Sequence, residues 1–152
     1  MIKFIIGLIY TMHLPILIKF IIGPKGSGKT RKILNLANRA LEDSKGEIVF
    51  INGSDRRMLE LNYQIRCVNT REFGIRKLDE FYGFISGMIA RNYDTDQIYI
   101  DGLFDMGKGD PDEVKRFLLD IKTLSDKFDI KFFITMNGNP ESAPAYLQEY
   151  IA

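Results

Sequence analysis

The sequence predicts an α/β domain in which a mostly parallel sheet is covered by helices on both faces. Short apolar runs alternate along the chain with longer segments whose apolar residues recur at helical spacing. Most of the apolar runs are continuous, as expected of strands that are buried on both faces. No stretch has the composition of a linker. We therefore predict one three-layer α/β/α domain over residues 16–152, preceded by an extension over residues 1–15.

Turn residues and apolar spacing set the boundaries of the predicted elements. The strands are short apolar runs that end at or near glycine, asparagine or aspartate, which favour turns. In the helices, apolar residues recur three and four positions apart, so each helix has one face to bury. Asp110 is expected to cap the third helix, because Pro111 suits the first helical position. In chain order, the predicted elements are the strand Ile16–Ile22, the helix Lys29–Leu41, the strands Glu47–Asn52 and Gln64–Asn69, the helix Lys77–Arg91, the strand Gln97–Asp101, the helix after Asp110, the strand Lys131–Met136 and a weaker terminal helix Ala143–Ile151.

Composition and charge exclude several classes of protein. Of the 152 residues, 45% are hydrophobic and 27% are charged, which argues against a disordered tail or a coiled coil. The single cysteine excludes a disulfide framework and a zinc site with several cysteines. The net charge of +1 conceals two opposed halves: residues 1–76 hold 13 Lys/Arg and 6 Asp/Glu, whereas residues 77–152 hold 8 and 14. Such asymmetry indicates an anion-binding site in the basic half.

The N-terminal extension is the most apolar part of the chain. Its longest run without a charged residue, Phe4–Ile18, has 15 residues, whereas a membrane-spanning helix needs about 20. No small-residue cleavage site follows, so we expect a cytoplasmic protein without a membrane span. Ile2–Gly7 repeats the sequence of Ile18–Gly23. We predict that this copy pairs with the free edge of the first strand as an added edge strand; the alternative is that the natural protein starts at or near Met12.

A glycine-rich segment between the first strand and the first helix carries the strongest chemical signal. Residues 23–30 fit the phosphate-binding pattern G-x-x-x-x-G-K-[S/T]. Glycines let the backbone wrap a phosphate with its N–H groups pointing inward, and the helix that follows presents its positive end to the anion. Lys29 is expected to reach the β- and γ-phosphates, and Thr30 to ligate Mg²⁺. The candidate nucleotide-binding residues are Gly23, Pro24, Lys25, Gly26, Ser27, Gly28, Lys29, Thr30 and Arg31.

A phosphate-binding loop of this kind needs an acidic partner on a neighbouring strand. The apolar run Ile98–Ile100 is followed by Asp101, the arrangement of a Walker B element. Because the carboxyl ends of parallel strands meet at one edge of a sheet, we expect Asp101 to lie opposite Thr30 and to hold Mg²⁺ or its water. The sequence therefore predicts ATP and Mg²⁺ as cofactors.

Together these two motifs resemble those of the P-loop NTPase superfamily. More closely, the chain is similar to a small bacterial family of ATP-binding proteins, some of which carry a twitching-motility label. The resemblance covers nearly the whole chain after residue 16, including Phe81–Phe84 and Ile98–Gly102. It implies the P-loop NTPase form of the three-layer fold and the binding of ATP.

One position departs from the pattern of many ATP hydrolases in this superfamily. They carry a glutamate directly after the Walker B aspartate, where this chain has Gly102. Three residues are alternative water-orienting or phosphate-sensing groups: Asp55 after the second strand, Asp105 after Asp101, and Asn137 at the end of the last strand. Each also fits an ordinary turn residue. We therefore predict slow Mg²⁺-dependent ATP hydrolysis, in a protein that acts as a switch or an accessory module.

Two other functions stay open at this point. The Asp101-Gly102 pair is typical of small nucleotide kinases, although no arginine follows Asn137 to supply a lid. The chain can also be an interaction module that binds ATP without turning it over. In either case we expect a protein partner or self-association. The basic residues cluster around the glycine-rich segment, where a nucleotide accounts for them, so nucleic-acid binding is not expected.

Overall fold

A computed structural model describes residues 17–54, 57–103 and 110–152 of the chain. These residues form a five-stranded sheet in which every strand pairing is parallel. The order of the strands across the sheet is β1-β5-β4-β2-β3. The strands are β1 (Ile18–Gly23), β2 (Glu47–Asn52), β3 (Arg66–Asn69), β4 (Thr95–Ile100) and β5 (Lys131–Asn137).

Helices cover both faces of the sheet, which confirms the three-layer α/β/α prediction. One face packs against α1, and the other packs against α2 and α3, which also contact each other. Among the described residues, no helix is long and apolar enough to cross a membrane. The helices are α1 (Lys29–Ala40), α2 (Leu78–Arg91), α3 (Pro111–Phe128) and α4 (Ala145–Gln148).

The sequence located most elements correctly and misplaced some of their ends. β1 begins two residues later than predicted, at Ile18, and β3 also begins two residues later, at Arg66. β4 begins two residues earlier than predicted, at Thr95, because polar residues at its start still pair with β2. Asp101 lies one residue beyond the end of β4. These shifts are expected, since hydrogen bonding to a neighbouring strand extends or shortens an element regardless of its hydropathy.

The prediction of a terminal helix over Ala143–Ile151 was largely wrong. A helix forms only over Ala145–Gln148, and Ile151 makes an isolated parallel bridge with Phe20 of β1. The Phe20 N–H donates to the Tyr150 carbonyl oxygen at 2.6 Å, and the Ala152 N–H donates to the Phe20 carbonyl oxygen at 2.8 Å. Unpaired strand groups are costly, so the end of the chain gains more by pairing with β1 than by continuing the helix.

The edge position of β1 agrees with the sequence, but part of that edge is already paired. Among the described strands β1 pairs only with β5, while residues 150–152 occupy its other side at Phe20. The proposed edge strand Ile2–Gly7, and the whole extension over residues 1–15, lie outside the described residues.

An aromatic row crosses the sheet on the face that packs against α1. Phe50, Tyr99 and Phe133 are in register on β2, β4 and β5. Their rings stack, with centroids 6.5 Å apart between Phe50 and Tyr99 and 4.7 Å apart between Tyr99 and Phe133. Burial of Tyr99 raises the pKa of its hydroxyl, which donates to Gln97 Oε1 at 2.6 Å. This row is a rigid apolar base below the carboxyl ends of the three strands.

The predicted cap of α3 is present and gives a simple test of the fold. Asp110 Oδ1 accepts a hydrogen bond from the Asp112 N–H at 3.0 Å, and Pro111 occupies the first helical position. We expect Asp110→Ala to lower the free energy of unfolding by about 1 kcal/mol, because it leaves a helix-end N–H without its cap. Urea denaturation measures this change. Asp120→Ala, in the middle of the same helix, is the control and should have a clearly smaller effect.

Candidate functional site

A row of polar side chains lies two residues beyond the aromatic row, at or near the carboxyl ends of the same three strands. The register pairs Ile51 with Ile100 and Ile100 with Ile134. The next residues, Asn52, Asp101 and Thr135, are therefore level with one another, about 5 Å apart from strand to strand. Because side chains alternate along a strand, this polar row points to the α1 side of the sheet, as the aromatic row does. Three buried strands thus deliver three hydrogen-bonding groups to one place.

The glycine-rich loop, residues 23–30, connects β1 to α1 beside this polar row. Gly26 and Gly28 have φ values of 81° and 87°, which residues with a side chain rarely adopt. A Cβ atom at Gly23 would lie only 2.7 Å from Ser27 Oγ. The Lys29 ammonium turns back across the loop and donates to the Pro24 carbonyl oxygen at 2.8 Å. The glycines predicted from the sequence are therefore required by the backbone path itself.

A cavity of about 350 Å³ lies between the glycine-rich loop and the polar row. Lys29 and Thr30 border it from the start of α1, Asp101 from the end of β4, and Asn137 from the end of β5. The sequence predicted that Asp101 would lie opposite Thr30, and it offered Asn137 as one of three alternative phosphate-sensing residues. The cavity brings these three residues and Lys29 together. The described residues that line it are Lys25, Gly26, Lys29, Thr30, Asn52, Gly53, Ser54, Arg71, Asp101, Gly102, Thr135 and Asn137.

The charges around the cavity favour an anionic ligand. Of the described residues that border it, three are cations, Lys25, Lys29 and Arg71, and one is a carboxylate, Asp101. The amino end of α1 adds the partial positive charge of a helix terminus. The cavity can therefore hold a group with several negative charges and, beside the carboxylate, a divalent cation.

Some of the predicted residues lie outside this cavity. Arg31 and Arg57 border an adjoining space of about 220 Å³, which shares Gly26, Lys29 and Thr30 with the main cavity. Pro24 contributes its carbonyl oxygen to Lys29, and neither Pro24 nor Ser27 borders the main cavity. The alternative residues Asp55 and Asp105 fall outside the described part of the chain.

Three residues that the sequence did not single out belong to the site. Thr135 is fully buried in β5, Asn52 is the last residue of β2, and Arg71 lies in a short 3-10 turn after β3. Asn52 Oδ1 is buried and, within the described residues, has no hydrogen-bond partner. A buried amide oxygen without a hydrogen-bond donor lowers the free energy of unfolding by about 1–3 kcal/mol. A polar ligand that donates a hydrogen bond to Asn52 Oδ1 would remove this cost. The only signal in the sequence was their place after or near the end of a strand.

Thr135 holds the Asp101 carboxylate in place. Its hydroxyl donates to Asp101 Oδ1 at 2.6 Å and accepts from the Gly102 N–H at 2.8 Å. The Asp101 N–H in turn donates to the Ile51 carbonyl oxygen at 2.9 Å. Both the backbone and the side chain of Asp101 are therefore fixed by neighbouring strands. A carboxylate oriented in this way needs no rearrangement to bind a cation.

Replacing Thr135 with valine tests this arrangement. Valine keeps the shape but removes one donor and one acceptor, leaving the Gly102 N–H without its partner. We expect the free energy of unfolding to fall by about 1–3 kcal/mol, and cation affinity at Asp101 to fall about tenfold. Thermal denaturation and Mg²⁺ titration measure the two effects. Thr135→Ser, which keeps the hydroxyl, should restore the affinity; if it does not, the hydroxyl has no positioning role.

The oxygen donors at this cavity are of the kind that Mg²⁺ prefers. Among the described residues, no three His, Cys, Asp or Glu side chains lie close enough to form a metal site by themselves. Asp101 and Thr30 supply two oxygen donors to one cavity. Mg²⁺ is commonly held by one or two protein groups, with phosphate oxygens and waters completing its shell. The two residues therefore fit Mg²⁺ bound together with a phosphate ligand.

Comparison with known proteins adds no assignment to this geometry. No protein-family model matches the chain, and no curated protein is significantly similar to it.

Proposed function

We propose that this chain is an ATP-binding P-loop NTPase that hydrolyses ATP slowly with Mg²⁺ and acts as a switch or an accessory module. The observation that carries the proposal is the convergence of Lys29, Thr30 and Asp101 on one cavity at the carboxyl edge of a parallel sheet. Carboxyl edges of such sheets are where α/β proteins bind their ligands. The left-handed glycines of the loop support the same conclusion, since the path they allow exposes backbone N–H groups.

The proposed roles follow from the chemistry of each group. Backbone N–H groups of the glycine-rich loop and the amino end of α1 bind phosphate oxygens. The Lys29 ammonium exchanges its bond to the Pro24 carbonyl oxygen for one to the β- and γ-phosphates. Thr30 and Asp101 would hold Mg²⁺, which neutralises charge on the phosphates when bound. Asn137, whose strand position is paired with Gly23, contacts the terminal phosphate.

Slow turnover is supported by Gly102, which follows Asp101 without a carboxylate to orient the attacking water. A nucleotide kinase is the second candidate, favoured only by the Asp101-Gly102 pair. An ATP-binding module without turnover is the third. All three share the binding site and differ in the fate of the γ-phosphate.

An assay with γ-labelled ATP distinguishes the three functions. Wild-type protein is incubated with Mg²⁺ and labelled ATP, first alone and then with nucleoside monophosphates as acceptors. Release of free phosphate supports the proposed hydrolase, and transfer of label to an acceptor supports the kinase. ATP binding with neither product supports the binding module. Failure to bind ATP at all would contradict the proposal.

A further inference from the structure

Arg71 reaches the cavity from the side of the sheet that lies farthest from the glycine-rich loop. It follows β3, and β3 lies four strands away from β1 in the order of the sheet. At about 4.8 Å per strand, the two backbones are roughly 19 Å apart. The side chain nevertheless borders the same cavity as Lys29 and Asp101. Arg71 therefore closes the far end of a space whose near end is the loop.

The path of a bound triphosphate through this space can be inferred from Asp101. The loop and Lys29 hold the phosphates at one end, while Asp101 borders the cavity from the middle strand of the sheet. Asp101 would hold Mg²⁺ beside the terminal phosphates, which would place the γ-phosphate towards β4 and away from β1. Among the described residues that border this cavity, the next cation in that direction is Arg71. An exposed guanidinium beside a terminal phosphate can donate two parallel hydrogen bonds.

The turn that carries Arg71 also carries an aromatic contact on the outside of the domain. This 3-10 turn spans Thr70–Phe73 and is held at its start by two hydrogen bonds. The Thr70 hydroxyl donates to the Asn52 carbonyl oxygen at 3.2 Å. The Arg71 N–H donates to Asn69 Oδ1 at 3.0 Å. At its end, the Phe73 ring packs against Phe84 of α2, with centroids 5.2 Å apart.

The Phe73 ring lies where a shift of this turn would change its position. Phe73 is 60% exposed and borders a shallow apolar groove of about 290 Å³. Gly83 and Gly87, one turn apart on α2, leave space beside Phe84 in this groove. Because most of the ring is exposed, a small rotation of the turn would move it mainly against Phe84 and solvent. Only Glu72 separates Arg71, whose side chain borders the cavity, from Phe73, whose ring borders the groove.

We propose that Arg71 binds the γ-phosphate, so that it distinguishes ATP from ADP, and that this contact shifts the Phe73 ring against Phe84. The proposal rests on the proposed function, because it requires a nucleoside triphosphate in the cavity. ADP lacks the phosphate that reaches Arg71 and leaves the turn in its starting position. The bound nucleotide then determines the position of the Phe73 ring in the apolar groove.

A tryptophan reporter tests the movement, since the chain contains no tryptophan. Phe73→Trp places one fluorophore at a largely exposed position that tolerates a larger ring. With Mg²⁺ and a non-hydrolysable ATP analogue, its emission maximum is expected to shift, whereas ADP should leave it unchanged. Adding Arg71→Ala to this variant should abolish the shift. Arg76→Ala is the matched control, because Arg76 lies in the same connection and does not border the cavity.

Equilibrium binding tests the phosphate contact without any reporter. In the otherwise unchanged chain, Arg71→Ala should weaken binding of the ATP analogue about tenfold and leave ADP binding within about twofold, as expected for one charge-assisted contact that is partly exposed. Arg71→Lys should recover only part of the preference, because lysine cannot form the paired hydrogen bonds.

Each result decides one part of the proposal. An unchanged preference for the ATP analogue over ADP in Arg71→Ala overturns the phosphate contact. Loss of that preference with no emission shift in Phe73→Trp overturns the coupling to the ring. Equal shifts with ADP and with the ATP analogue overturn it as well. Failure of the proposed function appears separately, because wild-type protein would then bind neither nucleotide, and the proposal for Arg71 falls with it.

Discussion

Replacing Lys29 with alanine is expected to weaken ATP binding about 100-fold and to abolish measurable turnover. The ammonium is the cation that lies across the glycine-rich loop, where it donates to the Pro24 carbonyl oxygen. Charge-assisted hydrogen bonds contribute about 1.5–3 kcal/mol each, and about 1.4 kcal/mol corresponds to a tenfold change in affinity. Isothermal titration with ATP and Mg²⁺ measures the loss of binding.

Lys32→Ala is the matched control for this prediction. Lys32 is exposed on the same helix, one turn from the loop, and its side chain does not border the cavity. Its replacement should leave ATP affinity within about threefold. Both variants should unfold within about 1 kcal/mol of wild type, as is usual for exposed or half-buried polar side chains outside the core. Unchanged ATP affinity in Lys29→Ala would contradict the assignment of the site.

Replacing Asp101 with asparagine is expected to lower Mg²⁺-dependent turnover at least about 100-fold. Asparagine keeps the shape and can still accept the Thr135 hydrogen bond, but it removes the charge that holds the cation. A bound divalent metal supplies several kcal/mol of stabilisation to the charge that develops in phosphoryl transfer. Phosphate release at several Mg²⁺ concentrations measures the loss.

Binding without metal separates this role from a merely structural one. In the presence of a chelator, Asp101→Asn should bind ATP at least as tightly as wild type, because the carboxylate repels the phosphates. A structural defect would instead weaken binding under all conditions. Asp96→Asn is the control: Asp96 lies near the start of the same strand, where its carboxylate accepts from Ser44 Oγ at 2.6 Å. Equal Mg²⁺ dependence in Asp101→Asn and wild type would overturn the metal-binding role.

The sequence was sufficient for the parts of the site that depend on local pattern. The pattern predicted a glycine-rich loop between the first strand and the first helix, and in the structure Gly26 and Gly28 of this loop have positive φ values. Asp101 was expected to meet Thr30, because parallel strands present their carboxyl ends at one edge, and both residues border one cavity. These inferences need only the type and order of the elements. They do not require the order of the strands across the sheet.

The residues that the sequence missed depend on that order. Asn52 has the appearance of an ordinary residue at a strand end, and only the pairing of β2 with β4 places it beside Asp101. Thr135 has a β-branched side chain, which is common in buried strands, so the sequence does not indicate a separate role for its hydroxyl. Arg71 follows the outermost strand, and its arrival in the cavity depends on the path of a short turn. The positions of these residues at the cavity depend on which strands pair with each other, and local hydropathy does not predict that pairing.

The interleaved strand order affects how the chain can fold. β1, β2 and β3 come from the first half of the sequence, but β5 and β4 of the second half lie between β1 and β2. Among the described strands, β1 therefore has no neighbour until β5, the last strand in the sequence, has been synthesised. Sheets that depend on such distant pairings form slowly. During this delay the apolar β1 segment is exposed to aggregation, and the glycine-rich loop that follows it lacks the support of the completed sheet.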